Sequence, residues 1–265
     1  MRFLRQPGFV LSLVVIAVVV IASFAPSLLA THNPYESVPA DRFLPPSTEY
    51  LFGTDELGRD VYSRVVHGTA LSLMSATLAV VVGVISGAII GLISGFVGGR
   101  TDFVIMRFVD VLIAVPGILL ALIVVASLGF GPFSLALGVG LGAAGGFARV
   151  MRSQVLHIRN EEYVEAARTL GVRGPAILMN HVLPNAARPV IAMAALELGT
   201  AILAVSALTF LGFGAPPPAP EWGALVAAGR NFVSTNPTLS ILPGVVILVV
   251  VLAVNRVART IGGEK

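Results

Sequence analysis

The feature that most constrains the fold of this chain is a series of long apolar stretches without a charged residue. One stretch runs from Gly68 to Gly99, and another runs from Val111 to Ala148. A helix that crosses a membrane needs about 20 mostly apolar residues, so the first stretch is long enough to cross once and the second twice. The sequence Gly-Phe-Gly-Pro at residues 129–132 marks the turn where the second stretch divides. The chain is therefore predicted to cross a membrane several times.

The same criterion predicts six membrane-spanning segments, all of them helical. They cover residues 8–30, 69–97, 103–128, 133–148, 189–212 and 239–255. Segments of this length in lipid must pair their own backbone polar groups, whereas the strands of a membrane barrel are about half as long. The predicted fold is all-α, a polytopic transmembrane helix bundle. Only 12% of the residues are charged, against about 25% in soluble domains.

The distribution of cations predicts the orientation of the bundle. Six crossings place both termini on one side of the membrane, and thirteen of the seventeen Lys and Arg residues fall on that side. Because cytoplasmic segments carry the excess of Lys and Arg, both termini are predicted to be cytoplasmic, in an N-in, C-in arrangement. Residues 1–68 are interpreted as an anchor helix and an extracytoplasmic loop, and residues 69–265 as the transmembrane core with a cytoplasmic loop at about 149–188. The first span is too long for a typical cleaved signal, so a retained anchor is favoured.

Several classes of function are not indicated by the composition. The chain has no Cys and four dispersed His residues, so neither a metal site nor a thiol nucleophile is predicted. No nucleophile–base pair points to a catalytic site. There is no GxxxxGK[ST] loop, so this chain is not expected to hydrolyse ATP itself. The net charge of +3 arises from cations at the ends of apolar runs, which does not indicate nucleic-acid binding.

Two of the predicted spans carry glycines at every fourth position. The stripes consist of Gly83, Gly87, Gly91, Gly95 and Gly99 in the second span, and of Gly138, Gly142 and Gly146 in the fourth. A stripe of small residues lets two helix backbones approach closely in a membrane. The stripes therefore predict tight helix packing in a compact bundle, and they do not by themselves indicate a function.

The loop at 149–188 is predicted to contain a short amphipathic helix over residues 161–170. Asn160 is expected to cap its first turn, and Gly171 to end it. Pro175 is expected to open a second short helix, and Pro184 to end that helix before the fifth span. The apolar face of the first helix consists of Tyr163, Ala166, Ala167 and Leu170. This face is too small for a good membrane anchor, so we expect it to lie in a protein groove.

These residues resemble the EAA motif of the membrane subunits of bacterial ABC importers. The similarity rests on Glu165-Ala166-Ala167, Gly171 and Leu183-Pro184. His181 stands where the general pattern has Ile, but His-Val-Leu-Pro-Asn is similar to the peptide and nickel branch. Further stretches are similar to the C-type permeases of that branch: Phe-Gly-Thr-Asp-Glu-Leu-Gly-Arg-Asp at 52–60, Met106-Arg107 with Asp110 and Pro116, Phe-Leu-Gly-Phe-Gly at 210–214, and Glu-Trp-Gly at 221–223. Val205 departs from relatives that carry Glu, so no pore role is transferred to it.

The resemblance implies an ATP-driven importer of dipeptides, oligopeptides or related small solutes in the bacterial cytoplasmic (inner) membrane. The implied partners are a second homologous permease, two ATP-binding subunits that would hold ATP and Mg, and an extracytoplasmic solute-binding protein, beside the lipid bilayer. The short helix would be the coupling helix seated in the ATPase. The residues assigned to this coupling are Glu161, Tyr163, Glu165, Ala166, Ala167, Arg168, Leu170, Gly171, His181, Leu183 and Pro184. Glu165 is also placed to pair with Arg168.

Charges within the spans supply further candidates. Arg107 and Asp110 are three residues apart and are expected to pair at the membrane rim. Glu197 lies inside the fifth span, where it is interpreted either as lining the translocation path or as forming a buried hydrogen bond. Pro116 is expected to kink or stop the third span, which suits a gate, and it is the second candidate for the translocation path. The alternative function is a secondary transporter or channel driven by an ion gradient, but such proteins usually carry several deep ionisable groups.

Overall fold

In the computed structural model, which describes residues 7–261, the chain forms a bundle of helices. The helices are α1 (Pro7–Phe24), α2 (Val61–Val97), α3 (Gly99–Ala114), α4 (Gly117–Leu128), α5 (Pro132–Ile158), α6 (Glu162–Thr169), α7 (Gly174–Ile177), α8 (Leu183–Phe210), α9 (Trp222–Gly229) and α10 (Thr238–Ile261). Within residues 7–261 the only β pairing is an isolated bridge between Thr54 and Asp60. The all-α prediction is confirmed.

Five helical stretches in the described chain are long and apolar enough to cross a membrane. They are α1, α2, α5, the continuous stretch Gly174–Phe210 and α10 over Thr238–Thr260. A sixth candidate is the pair α3 and α4, which meets the criterion only together and bends by 92°. The predicted third span over 103–128 is therefore divided into two helices, and the break lies at Pro116, where a kink is expected. Pro116 imposes an extended conformation on Val115 (φ −82°, ψ 127°), and this ends α3.

The other boundaries differ because apolarity marks what can lie in lipid, not where a helix ends. Helix α5 continues past the predicted end at Ala148 as far as Ile158. Helix α2 begins at Val61, before the predicted start at Thr69. Its start is set by Asp60, whose carboxylate accepts a hydrogen bond from the Ser63 N–H at 3.0 Å. Polar flanking residues extend both helices beyond their apolar cores.

Pro184 does not end a helix, which corrects the prediction for the fifth span. The chain is helical from Gly174 to Phe210, with a π-helical turn at Leu178–Val182. Pro184 lies in the first turn of α8, directly after this turn. A proline in the first turn of a helix costs little stability, because the N–H that it lacks would have no partner within that helix. The π-helical turn before Pro184 accommodates the change in the backbone hydrogen-bond pattern.

The glycine stripe of α2 packs against α5, as the sequence predicts. Gly83, Gly87, Gly91 and Gly95 face backbone atoms or side chains of α5, and a Cβ added at Gly87 would lie 2.5 Å from the Ala144 carbonyl oxygen. Gly99 falls outside the stripe, because it opens α3 and has no neighbour within 4 Å of an added Cβ. In α5, Gly138 faces Ala121 and Gly142 faces Gly117, so α4 packs on α5 through the second stripe. The bundle is held by close backbone contact.

The two ends of the bundle carry different structures. Gly8 in α1 lies against the Arg256 side chain of α10, on the end that carries α6. The opposite end is covered by the segment between α1 and α2 and by α9. The Trp222 indole N–H of α9 donates to the Val65 carbonyl at 3.0 Å. The segment before α2 is largely non-helical, as expected, but it packs closely: Asp55 is buried and pairs with Arg59 at 2.7 Å.

Candidate coupling helix and membrane cavity

Helix α6 starts one residue later than predicted, and its cap differs. Glu161 occupies the capping position with an extended backbone and makes no side-chain cap hydrogen bond. Asn160 is not the cap, because α5 extends to Ile158 and Asn160 is used in the turn that follows, where its N–H donates to His157 at 3.2 Å. The Glu161 carboxylate lies 3.4 Å from the His157 ring. Few residues therefore separate α5 from α6.

Helix α6 ends at the glycine that the sequence predicted. Gly171 has a left-handed backbone (φ +80°), which residues with a side chain rarely adopt. The Val172 N–H donates to the Ala167 carbonyl at 3.1 Å, and the Gly171 N–H donates to the Arg168 carbonyl at 3.0 Å. This pair of hydrogen bonds is the Schellman arrangement, which reverses the chain direction after a helix. The turn directs the chain back towards α7.

The apolar residues of α6 divide between two faces. Val164 is fully buried and Ala167 is half-buried, and both pack in a cluster with Ile177 of α7 and the π-helical turn. The remaining apolar residues are exposed; we call Tyr163 (46% exposed), Ala166 and Leu170 (84% exposed) the exposed α6 face. The prediction that Ala167 shares a face with these three residues is wrong. Its packing places it on the side that anchors α6 to the chain.

The other residues assigned to coupling lie around this unit. The ring of His181, in the π-helical turn, meets the edge of the Tyr163 ring at a centroid distance of 6.2 Å. Leu183 is half-buried and packs against the same cluster as Val164, whereas Pro184 is exposed. Within the described chain Glu165 and Arg168 form no ion pair with each other, and both side chains are exposed. The sequence motif is thus one compact surface unit.

The rim pair is formed by different residues from those predicted. Asp110 of α3 binds Arg149 of α5 at 2.7 Å, and both side chains are about half exposed. Arg107 forms no ion pair with any residue in 7–261. The spacing of three residues made an Arg107 pair possible on one helix, but Arg149 approaches Asp110 from the neighbouring helix. The prediction of an Arg107–Asp110 pair is wrong.

A cavity of about 450 Å³ lies between α4, α5 and α8. Glu197 is half-buried and lines it, and the other lining residues include Gly117, Ala121, Gly142 and Ala201. Glu197 is the only ionisable side chain among the lining residues, all of which belong to the described part of the chain. Pro116 does not line the cavity, but the break it creates positions Gly117 there.

A second carboxyl group, which the sequence presents only within the Glu-Trp-Gly motif, is buried at the opposite end of the bundle. Glu221 is 1% exposed and precedes α9. One of its oxygens accepts a hydrogen bond from the Ala215 N–H at 3.3 Å, and the other has no partner among residues 7–261. Burial raises the pKa of Glu221 to about 7. No local pattern indicates this burial, because it results from the packing of α9 on α2 and α8.

A bundle of membrane-spanning helices with a short surface helix between two of them is the architecture of a membrane permease subunit. Residues 87–262 match the family described as the binding-protein-dependent transport system inner membrane component, and residues 1–46 match the N-terminal transmembrane domain of oligopeptide transport permease C. The chain belongs to this family: it is a multi-pass inner-membrane permease of the peptide and nickel branch of ABC importers. Membership implies a complex with other permease and ATPase subunits. The alternative of an ion-gradient-driven transporter is not favoured.

Curated relatives are similar over nearly the whole chain. The dipeptide transport system permease protein DppC of Alkalihalophilus pseudofirmus is 39% identical over 92% of this chain and 80% of the relative. The probable D,D-dipeptide transport system permease protein DdpC of Escherichia coli is 36% identical over 94% and 84%. The glutathione transport system permease protein GsiD of Shigella flexneri is 40% identical over 96% and 84%.

Solved structures share the fold. The MetNI methionine ABC transporter in inward-facing conformations matches with a TM-score of 0.62 and 18% identity, over 76% of this chain and 96% of that chain. An amino acid ABC transporter with histidines matches with a TM-score of 0.57 and 15% identity, over 76% and 94%. At these identities the matches establish the fold alone.

Proposed function

We propose that this permease forms, with a second homologous permease, the path by which dipeptides or related short peptides enter the cell. The cargo class is supported by the curated relatives, which are named for dipeptides, D,D-dipeptides and glutathione. An extracytoplasmic solute-binding protein would deliver the peptide to the end covered by α9. Two ATPase subunits, which would hold ATP and Mg, would drive the cycle from the end that carries α6.

The cations near α6 support the proposed orientation. Arg149 and Arg152 lie in the last turns of α5 and Arg159 directly follows its end. The loop and the start of α8 add Arg168, Arg173 and Arg188. An excess of Arg marks the cytoplasmic side of a bacterial inner membrane. In the proposed N-in, C-in arrangement α6 would lie in the cytoplasm, on the side where ATPase subunits bind.

The observation that carries the coupling role is the exposed α6 face. Leu170 and Tyr163 are large apolar side chains exposed on a surface helix, while Val164 and Ala167 anchor the opposite side of that helix. An exposed apolar patch with a small residue at its edge is typical of a helix that binds in a groove of another protein. Ala166 allows close approach, and the anchored side transmits force from the groove to the bundle.

The test is a larger side chain on the exposed face. Ala166→Arg is expected to abolish co-purification of the permease with its ATPase subunits and to abolish uptake, without reducing the amount of permease in the membrane. Ala166 is a better position than Ala167, because Ala167 contributes to internal packing. Thr169→Arg adds the same side chain on the polar flank of α6 and is the matched control. Normal co-purification and uptake in Ala166→Arg would contradict the proposal.

A further inference from the structure

We propose that the ion pair between Asp102 and Arg152 is a positioning pair that transmits movement of α6 to the bent helices α3 and α4. The proposal rests on the coupling role proposed for α6. Arg152 donates two hydrogen bonds to the Asp102 carboxylate, from Nε at 2.5 Å and from a terminal nitrogen at 2.6 Å. The Ser94 hydroxyl donates to the same carboxylate at 2.5 Å. One carboxylate therefore joins α2, α3 and α5.

This pair differs from an ordinary surface ion pair. The side chains of Asp102 and Arg152 are 16% and 32% exposed, and the contact is bidentate. Charge-assisted bidentate pairs are stronger and more directional than single contacts, whereas exposed pairs contribute little. The Asp110–Arg149 pair joins the same two helices through one contact between side chains that are about half exposed. It provides an internal comparison for the Asp102 pair.

Helix α3 depends on the Asp102 pair because it makes few other buried contacts. Val109 is its only buried residue, and Phe103 and Phe108 are exposed. The helix is joined to α2 through Gly98 and Gly99, which both have left-handed backbones (φ +72° and +58°). Such a junction does not by itself specify where the next helix points. The carboxylate at the start of α3 supplies that constraint.

A second arginine holds the same junction from the end of α5. Arg159 caps α5 and donates to the Gly95 carbonyl of α2 at 2.7 Å. Because only residues 159–161 separate α5 from α6, a displacement of α6 acts directly on the last turns of α5. Those turns hold both arginines. A displacement would therefore move the start of α3 with the end of α5.

The path from this junction ends at the membrane cavity. Helix α3 leads through the break at Pro116 into α4, and Gly117 and Ala121 of α4 line the cavity that contains Glu197. Helix α4 also packs closely on α5 through Gly138 and Gly142. The Asp102 pair thus lies between the surface that would receive force and the helix that borders the cavity. Loss of the Asp102 pair should therefore uncouple the movement of α6 from the movement of α4, while both helices remain folded.

The experiment compares uptake with ATP hydrolysis in the reconstituted complex of permease, ATPase and binding protein. Asp102→Asn is expected to lower the amount of solute transported per ATP by about tenfold, the scale of one lost charge-assisted pair. Asp102→Glu, which keeps the carboxylate, is expected to restore most of the ratio. Asp110→Asn, the matched control between α3 and α5, is expected to leave it unchanged.

A double variant tests whether the two residues act as one unit. Asp102→Asn combined with Arg152→Gln is expected to be no worse than either single variant, since both remove the same interaction. A merely structural pair would reduce the amount of assembled complex and leave transport per ATP unchanged, and that result would overturn the proposal. If Ala166→Arg leaves the ATPase bound, the coupling role of α6 fails. If Ala166→Arg releases it but Asp102→Asn transports normally per ATP, only the positioning proposal fails.

Discussion

Replacing Gly87 by Ala tests whether close contact of α2 with α5 stabilises the bundle. A Cβ at position 87 would lie 2.5 Å from the Ala144 carbonyl oxygen and 2.5 Å from the Phe147 Cβ. Neither atom is at the end of a flexible side chain, so the two helices must move apart. Overpacking of this kind costs about 1–3 kcal/mol. Ala gains about 1 kcal/mol over Gly in helix propensity, so the expected net loss is up to about 2 kcal/mol.

The matched control is a glycine on a helix with free space around it. Gly244 of α10 has no atom within 4 Å of an added Cβ. Gly244→Ala is therefore expected to be neutral or to stabilise the protein by up to about 1 kcal/mol. Gly87→Ala with Gly91→Ala should lose more than either alone, because Gly91 faces Ala148 on the same pair of helices.

The assay is thermal unfolding of the purified permease in detergent, followed by the loss of helical circular dichroism or of monodisperse protein. Gly87→Ala should unfold at a lower temperature than the wild type, and Gly244→Ala at the same or a higher temperature. Equal stability of the two variants would refute the reasoning, because both gain the same helix propensity and differ only in the space around the new Cβ.

Three further predictions concern polar side chains. Glu221 binds a proton more tightly when folded, with a pKa of about 7 against 4.5, so stability is expected to fall by about 3 kcal/mol as the pH rises from 4.5 through 7. Unfolding across this range should show a flatter pH dependence for Glu221→Gln, and an identical profile would contradict the assignment. Trp222→Phe removes the hydrogen bond to Val65 and part of a buried ring, so chemical denaturation should show a loss of about 1–3 kcal/mol. Glu197→Gln is expected to change peptide uptake without changing assembly, and unchanged uptake kinetics would mark Glu197 as structural.

Much of the fold could be predicted because it depends on local properties. Apolar runs indicate which segments cross the membrane, and the Gly-Phe-Gly-Pro turn indicates where the longest run divides into two helices. These signals are local because the transfer free energy of each residue depends on its own side chain. The first four glycines of the α2 stripe and the helix end at Gly171 were also predicted correctly, because four-residue spacing and a left-handed helix end are local features. Several errors fall at helix ends. The end of α5, the Asn160 cap and the role of Pro184 depended on how far a helix continued beyond its apolar residues.

The sequence by itself determined that this chain is a bundle of membrane-spanning helices with a short surface helix, because hydropathy and periodicity are properties of consecutive residues. The permease function was indicated by the resemblance of its motifs to those of ABC importers. Only the tertiary structure decided which polar groups meet. Asp102 and Arg152 pair although 50 residues separate them in the sequence, and Asp110 pairs with Arg149 and not with Arg107. It likewise decided that Ala167 packs inward while Ala166 faces out. Such choices depend on which helix faces lie side by side, which no local pattern specifies, because ion pairs and burial require proximity in space.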